Sequence, residues 1–354
     1  MRKPKGNLKG GIVRKTENRL ITIPRLIILA LLLLVMTMGL WIFLRGALVK
    51  SLIGGIANLE TQGYEVTHGG LTIEGFPFSI SAVSQDISVR APRSSTPSPV
   101  QNWSIKTGNL QMRSATLTPL SWDIRHTGQM RIDMHGRAGE RYWFEIAPTN
   151  IEARAVASLR GTLKSARFDM GRAQLNSLVG TPPIISKIEH LDGNIKVTDA
   201  VANIALRAKD LRLSPKIPAI IDNILGRKLS LIELNANIDN WPLLEASGAQ
   251  AWQTAAGRIK AEHWAVLWGN ADMVGNFDLT FKNGKPEGTI QIRIKNAKSL
   301  IDNITAAGLI PAQYTGTINS LITMRETDEE GRKTIDLTIK NGTVKMGFIP
   351  IFEF

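Results

Sequence analysis

No cysteine occurs among the 354 residues, which excludes a disulfide scaffold, a thiolate zinc or iron–sulfur centre and a cysteine nucleophile. The local signatures of common chemistries are missing as well: there is no G-x-S-x-G elbow, H-E-x-x-H pair, G-x-x-x-x-G-K-[ST] loop or G-x-G-x-x-G turn. The five histidines, His68, His126, His135, His190 and His263, are scattered. His126 and His135 lie nine residues apart, a spacing that places them on opposite faces of an unbroken strand. Asp192, Asp199 and Asp210 stand beside turn signals, where a carboxylate bonds its own backbone, and Asp328-Glu329-Glu330 before Gly331 reads as a solvated hairpin tip. The expectation is therefore no enzyme, no catalytic residue, no metal and no cofactor.

Negative charge is scarce at the N-terminus. Residues 1–25 carry Arg2, Lys3, Lys5, Lys9, Arg14, Lys15, Arg19 and Arg25 against Glu17 alone, so +7 of the formal +13 sits there and the chain beyond residue 50 is nearly balanced. Stacking on nucleic acid needs aromatics interleaved with clustered Arg and Lys, so no nucleic-acid partner is expected. The basic run reads instead as an orientation signal and anionic-lipid anchor. Residues 26–44, LIILALLLLVMTMGLWIFL, hold no charge. At ~1.5 Å per helical residue they span ~28 Å, close to the ~30 Å hydrocarbon thickness of a bilayer. A cleaved signal peptide has a shorter apolar region and a small-x-small site, whereas Trp41-Ile42-Phe43-Leu44-Arg45 follows here. This predicts an uncleaved signal anchor in the inner (cytoplasmic) membrane, N-terminus cytoplasmic and the bulk of the chain periplasmic. The organisation is then a basic cytoplasmic tail (1–25), a transmembrane anchor (26–44), a juxtamembrane helix (45–62) and an exported β-rich domain (63–354) of one or two subdomains. Leu48, Leu52, Ile53, Ile56 and Leu59 recur at helical spacing in the juxtamembrane segment.

After Gly63 the period of the apolar residues changes to two. Leu71 and Ile73 alternate with Thr72 and Glu74; Phe76, Phe78, Ile80 and Ala82 follow in the opposite phase. The flip at Gly75 reads as a bulge or kink, and Pro77, which lacks an N–H, marks an edge strand. Residues 91–99 form a Pro/Ser loop. Alternation resumes at Ile195 and Val197, Ile204 and Leu206, and Ile232, Leu234, Ala236 and Ile238. Phe277, Leu279 and Phe281 face Ile290, Ile292 and Ile294 across Asn283-Gly284-Lys285-Pro286, and Ile335, Leu337 and Ile339 lead through Asn341-Gly342 to Val344, Met346 and Phe348. Both are hairpins. Helical patterns are confined to residues 218–225, 243–256 and 299–308. About a dozen strands, each with one apolar and one polar face, predict a mainly β fold. It comprises an N-terminal transmembrane helix and a long curved antiparallel sheet or β-groove with a few short helices, against a sealed sandwich or barrel as the competing arrangement. Eight tryptophans against three tyrosines suit a lipid- or glycan-contacting surface, with core packing as the alternative for any one of them.

Gly63-Tyr64-Glu65-Val66, Gly69-Gly70-Leu71 and Gly75-Phe76-Pro77-Phe78, placed shortly after an apolar helix, resemble the opening of the bacterial domain-of-unknown-function 2125 family. Residues 257–288 and the closing Lys340-Asn341-Gly342-Thr343-Val344-Lys345-Met346-Gly347 resemble it too. These motifs are glycines, aromatics and turns; they imply a fold and carry over no catalytic residue. A looser architectural similarity is to the AsmA-like envelope proteins, whose β-grooves are thought to hold or conduct phospholipid, although this chain is too short to bridge a periplasm alone. The reading is a non-enzymatic membrane protein that binds phospholipid or a lipid-like chain in an apolar groove for envelope lipid homeostasis. The candidate lining is Phe76, Phe78, Ile80, Phe277, Leu279, Phe281, Ile290, Ile292 and Ile294, with Gly75, Pro77, Asn341 and Gly342 as structural turns. The alternative is a scaffold or assembly factor for an envelope membrane-protein complex, acting by strand addition at an exposed edge.

Overall fold

A computed structural model describes residues 23–92, 102–135, 141–148, 150–180, 184–282, 284–308 and 312–353, with side chains from residue 30 onward except those of residues 312 and 352. The basic tail up to residue 22, residues 93–99 of the Pro/Ser loop and Asn283 lie outside the described residues. The chain opens with α1 (Ile23–Thr61), a single rod that joins the apolar run to the juxtamembrane stripe. Gly63, at φ +86°, follows its end. The stretch Ala30–Thr61 reaches a mean hydropathy of 2.1 and is long and apolar enough to cross a membrane. It is an N-terminal apolar helix of the kind that serves as a membrane anchor or a signal sequence.

Twenty strands follow among the described residues. The first six are β1 (Glu65–Thr67), β2 (Leu71–Glu74), β3 (Ser79–Ser84), β4 (Ile87–Arg90), β5 (Trp103–Ala115) and β6 (Ser121–His135). Next come β7 (Arg141–Pro148), β8 (Ile151–Ala157), β9 (Leu163–Met170), β10 (Ala173–Val179), β11 (Ile185–Ile188), β12 (His190–Thr198) and β13 (Val201–Leu213). After α2 (Ala219–Leu225) and β14 (Lys228–Ile238) come α3 (Trp241–Thr254), β15 (Arg258–Trp268), β16 (Ala271–Lys282) and β17 (Lys285–Lys295). The helices α4 (Ala297–Ala306) and α5 (Ala312–Thr323) precede β18 (Arg332–Lys340), β19 (Thr343–Met346) and β20 (Ile349–Glu353).

These strands make one long antiparallel sheet. The bent pair β1 and β2 lies against β4 and β3, which together flank β5. The long β6 pairs with β5 on one side and with both β7 and β8 on the other. Two short lanes, β7–β10–β11 and β8–β9–β12, then run side by side and rejoin on β13. From β13 to β20 the sheet is a simple meander.

Three local expectations are corrected. Gly75 and Pro77 do not bend a continuous strand: residues 75–78 form the turn between β2 and β3, with Ser79 N–H donating to Gly75 O at 2.9 Å. The change of phase read there is a chain reversal, so Phe76 and Phe78 are turn residues, and Pro77 says nothing about an edge. Phe348 likewise sits between β19 and β20 and is exposed. Lys285 and Pro286 belong to β17, paired with Lys282 and Phe281, and not to the turn. The second hairpin reverses at Asn341-Gly342 as expected, with Lys340 opposite Thr343.

The principal apolar cluster lies at the C-terminal end, where α4 and α5 cover the sheet. Ile294, Ala297, Ile301, Ile318, Ile322, Ile335, Met346 and Ile349 are buried together, with Ile292 and Leu337 packed beside them. Elsewhere close strand packing depends on glycine. A Cβ on Gly275 would stand 2.1 Å from Gln291 O and 2.8 Å from the Trp264 ring, so that ring lies directly over the glycine of the neighbouring strand. Gly275→Ala therefore forces backbone or indole to move, and the expected cost is about 1–3 kcal/mol. Guanidinium unfolding of the detergent-solubilised chain, followed by tryptophan fluorescence, measures it; an unchanged midpoint contradicts the close contact.

Candidate functional site

Residues directly opposite each other in an antiparallel pair project to the same face of the sheet. Tracing partners from strand to strand yields the row Ile73, Ala82, Met112, Ile124, Ala153, Phe168, Gly193, Leu206, Leu234, Trp264, Gly275, Ile292, Ile335. It crosses thirteen strands and contains only apolar residues and glycine. Adjacent rows on the same face run Ile151, Met170, Leu191, Ala208, Ile232, Val266, Met273, Ile294 and, toward the other strand ends, Trp122, Ala155, Ala166, Ile195, Ile204, Ala236, Ala261, Phe277, Ile290, Leu337, Met346. At ~4.8 Å between strands, the twelve steps of the central row make an apolar band ~58 Å long, three residues wide from β8 to β17.

The opposite face is charged over β6, β8, β9, β12 and β13. Gln111, Arg125, Glu152, Asp169, Asp192, Arg207 and Glu233 form one of its rows. Ion pairs cross it between Arg125 and Glu152 at 3.5 Å and between Arg207 and Asp192 at 3.2 Å, and His190 Nε2 approaches Asp192 at 3.1 Å. The Arg154 guanidinium hydrogen-bonded to Asp123 holds that carboxyl below the usual carboxylate range. A hollow of about 590 Å³ lies among these side chains, lined by Arg113, Arg125, Arg167, Asp123, Glu152 and Asp169 among others. Its charges are balanced, and pairs this exposed contribute little to stability; their role is to keep this face wetted.

Helices gather toward the ends of the band among the described residues. The first strands meet α1, while α3 packs on β16 and α5 on β18. In between, Ile124, Ala153, Phe168, Leu206, Leu234 and Trp264 remain partly exposed. The Phe168 ring lies over Gly193 as Trp264 lies over Gly275, which keeps this stretch of the face low.

The sequence-derived candidates distribute across this surface unevenly. Phe277, Leu279, Ile290 and Ile292 lie on the apolar face and are partly exposed. Phe281 shares the face but packs against Trp252 of α3 at 5.4 Å between ring centroids. Ile80, 1% exposed, and Ile294, within the α4–α5 cluster, are sealed, and Phe76 and Phe78 are exposed in the β2–β3 turn. The central residues Phe168, Leu206 and Trp264 were not among the candidates. Of their three strands alternation marks β13 alone, through Ile204 and Leu206, and only the register reveals that the three residues share one row. The other tryptophans divide by role: Trp252 Nε1 donates to Asp239 O and Trp268 Nε1 to Gly226 O, both at the ends of strands.

His126 is the one ionisable side chain in the stretch of its row from Leu71 to Ile294 (Leu71, Ser84, Leu110, His126, Ile151, Met170, Leu191, Ala208, Ile232, Val266, Met273, Ile294). It is 6% exposed and neither ring nitrogen has a hydrogen-bond partner. A bulge at Gly128, φ +100°, changes the face of the strand beyond it. It therefore places His135 on the same face as His126, against the expectation for an unbroken strand, yet ~26 Å further along at ~3.3 Å per residue. The two do not form a pair.

A family model described as "Uncharacterized protein conserved in bacteria (DUF2125)" matches residues 41–354, and the chain belongs to that family. No curated protein and no solved structure matches it.

Burial without a partner pushes the His126 pKa below its ordinary 6.5, so the folded chain favours the neutral imidazole. Below pH 6.5 the unfolded chain takes up a proton that the folded chain resists, and stability falls as pH decreases. Carboxylates with depressed values, such as Asp123 and Asp278 with an ordinary value of 3.8, act at lower pH. The unfolding midpoint of the detergent-solubilised chain should decrease from pH 7.5 to 5.5, and His126→Leu should flatten that dependence. An identical slope in both proteins contradicts the assignment.

Proposed function

We propose that this member of the family is a non-enzymatic, membrane-anchored protein that holds the acyl chains of a phospholipid or similar lipid against the apolar face of its sheet and serves envelope lipid homeostasis. The observation that carries the reading is the unbroken apolar row from Ile73 to Ile335, whose central members stay partly exposed. An apolar surface of this extent tends to acquire an occupant, because each Å² removed from water is worth ~25 cal/mol. A lipid chain needs no directional partner, and the Trp264 indole N–H, buried without a hydrogen-bond partner, is the one polar side-chain group of the central row.

In this reading α1 is an uncleaved anchor in the inner membrane, with the basic tail in the cytoplasm and the sheet in the periplasm. The basic residues before the span support the orientation. Retention of the helix is supported by Trp41, whose indole Nε1 donates to Ser79 O at 2.7 Å and which is buried against the sheet; cleavage would forfeit that contact. A scaffold that recruits a protein by strand addition is the second reading, favoured by β20, which pairs with β19 on one side and has Ile351 exposed.

Leu234→Asp puts a carboxylate in the centre of the band, with Glu233→Gln on the opposite face as the control. Both chains are purified from membranes in mild detergent and their phospholipid is extracted and quantified. Lipid surrounding α1 is common to both, so the difference reports the sheet. The expected result is a folded Leu234→Asp protein with less bound lipid than the wild type and a Glu233→Gln protein with the same amount. Equal lipid in all three proteins overturns the reading. Unfolding of Leu234→Asp points to a sealed face, because an unpaired carboxylate is then buried.

A further inference from the structure

The turns of residues 75–78 and 116–120 differ from the other turns at their end of the sheet. The β12–β13 turn carries Asp199, the β16–β17 turn is flanked by Lys282 and Lys285, and the β18–β19 turn follows Lys340. By contrast no charged residue occurs from Gly75 to Ser84 or from Ser114 to Trp122. Phe76 is 50% exposed, Phe78 71% and Leu117 73%.

Hydrogen bonds tie the two turns to each other. Thr116 donates its hydroxyl to Pro77 O at 2.7 Å and its N–H to Phe78 O at 3.0 Å, and Ser114 Oγ donates to Thr118 O at 3.0 Å. Trp41 supplies the donor to Ser79 O. Its ring meets Phe76 edge-on at 5.0 Å, and the Arg45 guanidinium lies 5.7 Å from its centroid. The turns are thereby fixed to α1 where the apolar run ends in a Trp and an Arg, the residues that mark a membrane–water interface. Exposed aromatics beside a Trp and an Arg are what such an interface accommodates.

We propose that these two turns rest in the surface of the membrane that α1 crosses, with Phe76, Phe78 and Leu117 inserted among the lipids. The inference rests on the membrane-anchor part of the proposed function but not on lipid carriage by the sheet. It gives the sheet a fixed footing, one rim on the bilayer, instead of a free tether.

The absence of cysteine permits single-cysteine nitroxide labels at Leu34→Cys, Phe78→Cys, Leu117→Cys and, at the other end of the strands, Lys216→Cys. The full chain is reconstituted into phosphatidylethanolamine/phosphatidylglycerol vesicles, and label collisions with oxygen and with a water-soluble nickel chelate are compared by electron paramagnetic resonance. The expected oxygen-to-nickel ratio is severalfold higher at 34, 78 and 117 than at 216. Ratios at 78 and 117 equal to that at 216, with 34 in hydrocarbon, overturn the inference and leave the anchor standing. A label at 34 in water overturns both. Leu117 is exposed enough that its replacement leaves the fold intact, so this position decides the matter even where Phe78→Cys folds poorly.

Discussion

Register is the constraint on which everything else depends. A strand alternates faces with period two, so a slip of one residue between two strands would send the row beyond it to the other face. Thirteen strands nevertheless keep Ile73 through Ile335 in line, and they do so partly by breaking the simple period. In β15 an extra residue around Glu262 and His263 faces both neighbours, so that Ala261 and Trp264, three positions apart, stand on the same face. The bulge at Gly128 in β6 has the opposite outcome and hands the apolar side of the lower strand segment to the other face.

A single sheet has no second layer to seal it, and the molecule treats its two faces differently. Cross-strand ion pairs wet one of them over β6, β8, β9, β12 and β13. On the other, α4 and α5 build a compact core at the C-terminal end, a smaller buried cluster forms around Ala208, Leu211 and Leu229, and the central row stays partly exposed. The stability of the fold thus rests on the ladder, the terminal helices and glycine-mediated contacts such as Trp264 on Gly275. In the middle of the band Leu206, Leu234 and Trp264 stay partly exposed.

Much of this was legible from residues alone. The uncharged run before Arg45 announced α1, and Asn341-Gly342 announced the last hairpin, because each signal is local. The region around Gly75 was misread for an instructive reason: a reversal and a bulge both invert the phase of alternation, and only pairing partners distinguish them. Phe76 and Phe78 thereby moved from the band to the rim beside Trp41. That Phe168, Leu206 and Trp264 share one surface was not legible, because they are separated by tens of residues and their adjacency is a property of pairing between strands. α5 was missed because Tyr314, Thr315 and Thr317 weaken its helical pattern, and packing of Ile318 and Ile322 beneath it overrides propensity.

The most direct test of an open, lipid-holding face is photocrosslinking in native membranes, with benzoylphenylalanine placed at Leu206 or at its neighbour Arg207. The two side chains leave adjacent positions of β13 toward opposite faces, so exposure to the surroundings differs by face alone. Mass spectrometry should find phospholipid attached at 206 and none at 207. Lipid at neither position, or crosslinks from 206 only to other residues of the chain, would contradict the account.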